Sequence, residues 1–168
     1  MIYKAGSGHP GGSLSMLKMI AALYFGKTRD GRRIMRYDPK DPNWINRDRL
    51  VLSKGHAAPG LYAALGRAGF FPVSEFDKLR KLGSILQGHT DMTKTPGIDM
   101  SAGSLGVALS AATGMALAAK MDNRDYTVNV ILGDGEVQEG QVDEAARHAS
   151  IMGLDNIIAF LDWNGMQI

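Results

Sequence analysis

From Ser13 to Phe25 apolar residues recur at three- and four-residue steps: Leu14, Leu17, Ile20, Ala21, Tyr24 and Phe25. That spacing predicts an amphipathic helix. Ahead of it, Ile2 to Ala5 reads as the last turn of a helix. "DRLVLS" is a short apolar run and predicts a strand. "KGHAAPGLYAALGRAGF" predicts a helix starting near Ala57, with Pro59 tolerated in its first turn. "SEFDKLRKL" predicts a short helix with Ser74 as N-cap and Asp77 at its third position. "SLGVALSAATGMALAAKM" predicts a helix capped by Ser104, and its small residues Gly106, Ala108, Ala111, Ala112 and Gly114 invite close approach of another helix. "TVNVILGDG" predicts a strand ending in a tight turn. "QVDEAARHASIMGL" predicts a helix, and "NIIAFLDWNG" a further strand and turn. Pro39 and Pro42 exclude regular helix from "YDPKDPNW". "GSILQGHTDMTKTPGIDMSAG" has no period, and a loop of that length inside a compact domain points to function.

The resulting order is α-β-α-α-loop-α-β-α-β. Short, continuously apolar strands alternating with helices predict an α/β fold with a parallel β-sheet covered by helices on both faces. The length of 168 residues corresponds to one domain, and neither a repeat nor a linker interrupts it. A hydrophobic fraction of 45% with 21% charged residues places the chain among ordinary globular proteins. A net charge of +2 gives no argument for nucleic acid or a membrane surface as a partner. The basic run "KTRDGRRIMR" is interleaved with acid and reads as a solvated loop. The absence of cysteine excludes a disulfide framework and thiolate metal sites, and fits a cytoplasmic location. No stretch approaches the ~18 apolar residues of a membrane span. The N-terminus also lacks the apolar core of a signal peptide.

Ligands of open parallel sheets bind outside the carboxyl ends of the strands. Three features fall there: "SKGH", "GDG" and "DWNG". The glycines flanking Asp134 suggest a sharp turn and a close approach of ligand to the main chain. A carboxylate beside a helix N-terminus would repel the phosphate that such a terminus attracts. A divalent cation resolves the conflict, because Mg²⁺ takes oxygen from one or two protein carboxylates and from phosphates. Asn164, at the end of the next strand, supplies a second oxygen. Gly165 permits a turn that aims the Met166 carbonyl at the same ion. Taken alone, GDG and Asn164-Gly165 are ordinary turns; paired across one helix they favour a metal–diphosphate site. No G-x-G-x-x-G or Walker A pattern occurs. His9, His56 and His89 each follow a glycine in a loop, whereas His148 lies within a helix. Imidazoles in such loops can donate to diphosphate or substrate oxygens and exchange protons near neutral pH. Their spacing does not suit zinc.

With "SGHPGG", "DPNWINRDRLVLSKGHAAPGLYA", "GSLG", "GDGEVQEG" and "FLDWNGM" in this order, the chain resembles the transketolases over nearly its whole length. The likeness is to their amino-terminal, diphosphate-binding (PP) domain or subunit, and GDG with the later Asn is the motif shared by thiamine diphosphate enzymes. The resemblance implies Asp134, Asn164 and the Met166 main-chain oxygen as ligands of Mg²⁺, or of another divalent cation such as Ca²⁺ or Mn²⁺. It implies Gly103, Ser104, Leu105 and Gly135 as backbone contacts to thiamine diphosphate, and His56 beside the diphosphate. His9 and His89 would face the sugar as catalytic residues, and Glu139 would lie at a subunit interface. As a plain structural element, Glu139 is an acid in the first turn of a helix. The implied reaction moves a two-carbon ketol unit between sugar phosphates. The implied partner is a carboxy-terminal transketolase subunit, which carries the pyrimidine-binding (Pyr) domain, in a homo- or hetero-oligomer. The family's glutamate that activates the cofactor belongs to that partner, so the chain alone is expected to be inactive. The resemblance further implies a PP domain over residues 1–168 that is partial at both ends, with roughly a hundred residues to follow. Val107 and Ala108 depart from the family's Gln-Gly, removing a polar group beside the cofactor. A non-catalytic PP-like binding module, 1-deoxyxylulose-5-phosphate synthase, dihydroxyacetone synthase and an unrelated nucleotide-binding α/β domain are the alternatives.

Overall fold

The structure is a computed structural model that describes residues 1–166. Its elements are α1 (Ile2–Ala5), α2 (Pro10–Ser15), α3 (Leu17–Phe25), β1 (Arg49–Leu52), α4 (Ala58–Ala68), α5 (Val107–Met121), β2 (Val128–Gly133), α6 (Gly140–Ile151) and β3 (Ile157–Asp162). Short 3₁₀ turns occupy Gly55–Ala57, Val73–Lys78 and Glu136–Gln138. The three strands are parallel in the order β1-β2-β3, with Leu52 opposite Ile131 and Gly133 opposite Asp162.

Successive strand residues point to opposite faces, and the core divides accordingly. Leu50, Leu52 and Ile131 pack with α3, α4 and Met16 on one face. Val51, Val128, Val130 and Leu132 pack with α5 and α6 on the other. Both faces of β2 are therefore covered, and all six of its residues, the polar Asn129 included, are buried. The α5–α6 contact is built from Ala108, Ala112, Ala116 and Ala119 against Val142 and Ala145. Of the small residues expected to make that contact, Gly114 does not: a Cβ there would meet nothing within 4 Å.

Three local expectations are corrected. The helix predicted from Ser13 to Phe25 is two helices broken at Met16 (φ −84°, ψ 1°). Tertiary bonds cause the break. Ser13 Oγ donates to Ala57 O (3.4 Å) and accepts from Gly60 N (3.2 Å), which draws α2 onto the start of α4. Met16, Ile20, Leu23 and Tyr24 become the buried set, while Leu14, Leu17, Ala21 and Phe25 face outward. Ser74 does not cap an α-helix; Val73–Lys78 is a 3₁₀ turn entered from Pro72, with Phe76 set edge-on to Phe71 at 6.3 Å. Ser104 does not cap α5 either. Gly106 does, at φ 85°, a left-handed conformation that favours glycine.

The basic loop is exposed except for two anchors. Met35 is buried, and Arg36 pairs with Asp48 (3.0 Å) and Asp125 (3.1 Å). Residues 83–103 contain no helix or strand. They are held by Asp99, which accepts from Arg47 Nη2 (2.6 Å) and Leu50 N (2.8 Å), and by Tyr62 Oη donating to His89 O (2.9 Å). No helix among the described residues is long and apolar enough to cross a membrane.

Candidate functional site at the carboxyl edge of the sheet

The chain leaves all three strands at the same edge. After β1 it runs through Ser53, Lys54, Gly55 and His56; after β2 through Asp134 and Gly135; after β3 through Trp163, Asn164 and Gly165. Asp134 and the Asn164 turn, thirty positions apart in sequence, are in direct contact: Gly165 N donates to Asp134 Oδ2 at 2.7 Å. The other carboxylate oxygen of Asp134 accepts from Gly135 N (3.0 Å), and Asn164 Oδ1 accepts from Met166 N (2.8 Å). Each of these oxygens keeps lone-pair capacity. They stand beside the exposed Met166 and are of the oxygen type that a hard divalent cation takes. Asp134 has no ion pair among the described residues.

The glycines around Asp134 serve differently from expectation. Gly135 sits at φ −63°, ψ −34°, which any residue adopts, and Gly133 is a regular strand residue paired with Asp162. Neither adopts a conformation reserved for glycine, and a Cβ at Gly133 would lie 3.6 Å from Lys54 Cδ and 3.9 Å from Glu136 Cβ. The left-handed glycine is Gly165 at φ 69°.

The three Gly-His loops converge. His9, immediately before α2, and His56 stand with ring centroids 5.3 Å apart at 71°. A Cβ at Gly12 would lie 3.1 Å from the His56 ring, so α2 packs directly on that imidazole. Gly103 lies against His89, with a Cβ built there 3.9 Å from the ring. Gly55 touches the backbone of the same loop, where a Cβ would meet Ala102 O at 2.9 Å. The structure thus gathers His9, His56, His89 and Gly103 beside one another. Ser104 and Leu105 are exposed on the same loop, and His148 lies on the exposed side of α6. Glu139 is exposed as the residue that opens α6, and no side-chain hydrogen bond is made at that cap. It stands beside Gly106 and is flanked by half-exposed Leu105, Val107 and Val137. Of the two departures in the GSLG stretch, Val107 is 47% exposed at this surface, whereas Ala108 turns into the core at 1%.

Two buried groups escape a reading of the sequence alone. Lys54, 1% exposed, donates to Asp162 (4%), and Ser15 on α2 donates to the same carboxylate oxygen. A lysine is almost never fully buried unless paired, and its position directly after an apolar strand is the available signal. Burial pushes the Asp162 carboxyl up, but the Lys54 and Ser15 bonds outweigh it and hold the group below the ordinary carboxylate value. Glu136, 2% exposed, accepts from the Ser53 hydroxyl, Gly106 N (2.8 Å) and Gly133 N (3.1 Å). Asp134, Glu136 and Asp162 bring three formal negative charges, and Lys54 brings one positive charge.

His56 titrates below the ordinary 6.5, first because of burial, then because of the Lys54 charge and neighbouring His9, with Glu136 opposing. It is neutral at pH 7 and keeps one ring nitrogen as donor and one as acceptor. Between its native value and 6.5 the unfolded chain binds more protons, so this group favours the fold above 6.5 and disfavours it as pH falls. An NMR titration is expected to place the His56 midpoint below the ordinary 6.5, and Lys54→Met to raise it. A midpoint above 6.5 would contradict the assignment.

The chain matches the family described as "Transketolase, thiamine diphosphate binding domain" over residues 1–168. It is 53% identical over 167 residues to a 6-deoxy-6-sulfo-D-fructose transketolase subunit of Clostridium sp., covering 99% of this chain and 58% of that protein. It is 45% identical over 168 residues to an apulose-4-phosphate transketolase subunit of Phocaeicola vulgatus, covering 100% of this chain and 57% of that one. Among solved structures, the transketolase of Campylobacter jejuni superposes with a TM-score of 0.89 at 33% identity, over 99% of this chain and 26% of that chain. The chain therefore spans somewhat over half the length of the first two relatives.

Proposed function

Because the chain belongs to the transketolase thiamine diphosphate-binding domain family, we propose that it is the amino-terminal part of a transketolase-type transferase. In this reading it binds thiamine diphosphate through Mg²⁺ and, completed by a Pyr-domain partner, moves a two-carbon ketol unit between sugar phosphates. The observation that carries the reading is the 2.7 Å hydrogen bond from Gly165 N to Asp134, which joins the two halves of the oxygen donor set.

Asp134, Asn164 and the Met166 main-chain oxygen would hold the cation. Gly135 and the Gly103–Leu105 backbone would line the cofactor, with His56 at its diphosphate. Thiamine diphosphate supplies a C2 carbanion for carbon–carbon chemistry when bound, and the protein supplies binding and orientation. His9 and His89 lie on opposite sides of His56 in sequence but at one mouth in space. There they would hold and exchange protons at the sugar's hydroxyl and carbonyl oxygens. Glu139, an exposed acid with apolar neighbours, would sit at the contact between subunits. Acidic sugars are the substrate class, and the relative named for a sulfonated fructose makes sulfonate a second substrate reading beside phosphate.

The test is a ketol-transfer assay with and without a supplied Pyr-domain subunit, using a ketose phosphate and its sulfonate counterpart as donors. Turnover is expected only in the reconstituted mixture. Turnover by the isolated chain, or none in any pairing while the cofactor binds, would overturn the two-part reading.

A further inference from the structure

Glu136 belongs to neither the oxygen donor set nor the histidine group, yet it is 2% exposed. It has no Lys or Arg partner among the described residues. A buried carboxylate without an ion pair is tolerated only through its hydrogen bonds, and bonds to a charged acceptor are the strong ones. Its three donors come from three separate segments. Ser53 Oγ and Gly106 N donate to Oε1, and Gly133 N donates to Oε2. Each anchored residue adjoins a candidate cofactor contact. Ser53 stands three residues before His56, Gly106 directly follows Leu105, and Gly133 directly precedes Asp134.

We propose that Glu136 is a positioning residue whose buried carboxylate fixes the "SKGH" loop, the "GSLG" loop and the "GDG" turn relative to one another, and so sets the affinity of this edge for thiamine diphosphate. This rests on the function proposed above. An acid at this place could otherwise serve only the start of a helix, but Glu136 is turned inward onto amides and a hydroxyl of other segments.

Glu136→Gln is nearly isosteric and tests the carboxylate itself. The amide has one acceptor oxygen; keeping Ser53 and Gly106 sets its nitrogen against Gly133 N–H, two donors face to face. Two measurements on the full chain decide the matter. In the first, without cofactor, amide hydrogen exchange at Gly106 or Gly133 is expected to be at least about tenfold faster in Glu136→Gln than in the parent, with Val130 unchanged. In the second, calorimetry well below the unfolding temperature is expected to give at least about tenfold weaker binding of thiamine diphosphate with Mg²⁺. Ser53→Ala, which removes one donor of three, is expected to show a smaller change in both. Unchanged protection at both glycines overturns the proposal, as does unchanged affinity against a parent that binds. Uniformly faster exchange throughout β2 would mark a role in global stability alone and also overturns it. A parent that binds no thiamine diphosphate sinks the functional reading instead, and the exchange comparison still decides the anchoring.

Discussion

Asp134→Ala is expected to weaken binding of thiamine diphosphate and Mg²⁺ by at least about a hundredfold, since loss of an outer partner of a metal ligand already costs 10- to 100-fold. Two effects act together. The substitution removes the charged oxygen donor of a set whose other members are neutral. It also removes the acceptor of Gly165 N, so the turn bearing Asn164 and Met166 loses its bond to β2. Asp134→Asn separates the two effects, because an amide oxygen can still accept from Gly165 but carries no charge. If charge on the cation dominates, the Asn variant resembles Ala; if tethering dominates, it approaches the parent. The measurement is calorimetric titration with thiamine diphosphate at fixed Mg²⁺, alongside a thermal melt to confirm folding. Parental affinity in Asp134→Ala would remove the metal–diphosphate site from this edge.

The largest effect on stability is expected from Lys54→Met. Removing one partner of a buried ion pair leaves the other charge uncompensated, at a cost of about 3–5 kcal/mol. For a domain of this size that lowers the melting temperature by roughly 10 °C. Asp162 would keep the side-chain bonds from Ser15 and Asn164 but lose its cationic partner. The double variant Lys54→Met/Asp162→Asn removes both charges of the pair and is expected to recover most of the loss. Thermal denaturation of the two single variants and the double variant measures the coupling, and equal, additive losses would show that the pair contributes nothing as a pair. The pH dependence follows from the same bond. Asp162 titrates below the ordinary 3.8 in the fold, so its contribution is present above that value and is lost as pH falls through the native one. Lys54→Met is therefore expected to flatten the acid limb of the stability profile.

Much of the architecture was legible in one dimension. "DRLVLS", "TVNVILGDG" and "NIIAFLDWNG" are apolar enough to be read as buried parallel strands, and β1, β2 and β3 lie within them, but β3 is only partly buried, with Ile158 and Ala159 exposed. The strand ends then named Asp134 and Asn164, and the Gly-His repetition named three loops that the fold gathers at one mouth. The errors are of one kind. Ser13 and Ser15 look like helix residues, but they bond to Ala57, Gly60 and Asp162 and break the helix at Met16. Ser104 looks like a cap by propensity, yet Glu136 takes the amide of Gly106 and the helix starts there in a left-handed turn. The strand does end in a turn at Asp134 and Gly135, but its glycines hold ordinary backbone angles that any residue adopts.

The sequence by itself determined the parallel sheet with its helices, the edge at which the candidate residues gather and the family. All of these depend on hydrophobic period and on motifs a few residues long. Only the tertiary structure decided that Lys54 and Glu136 lie beneath that edge, and which loop each one holds. Their partners are 108 and 30 residues away, at Asp162 and Gly106. The physical reason is that a polar side chain is excluded from an apolar interior unless a matching group meets it there. That meeting is a property of the packed sheet and its helices, and no local stretch encodes it.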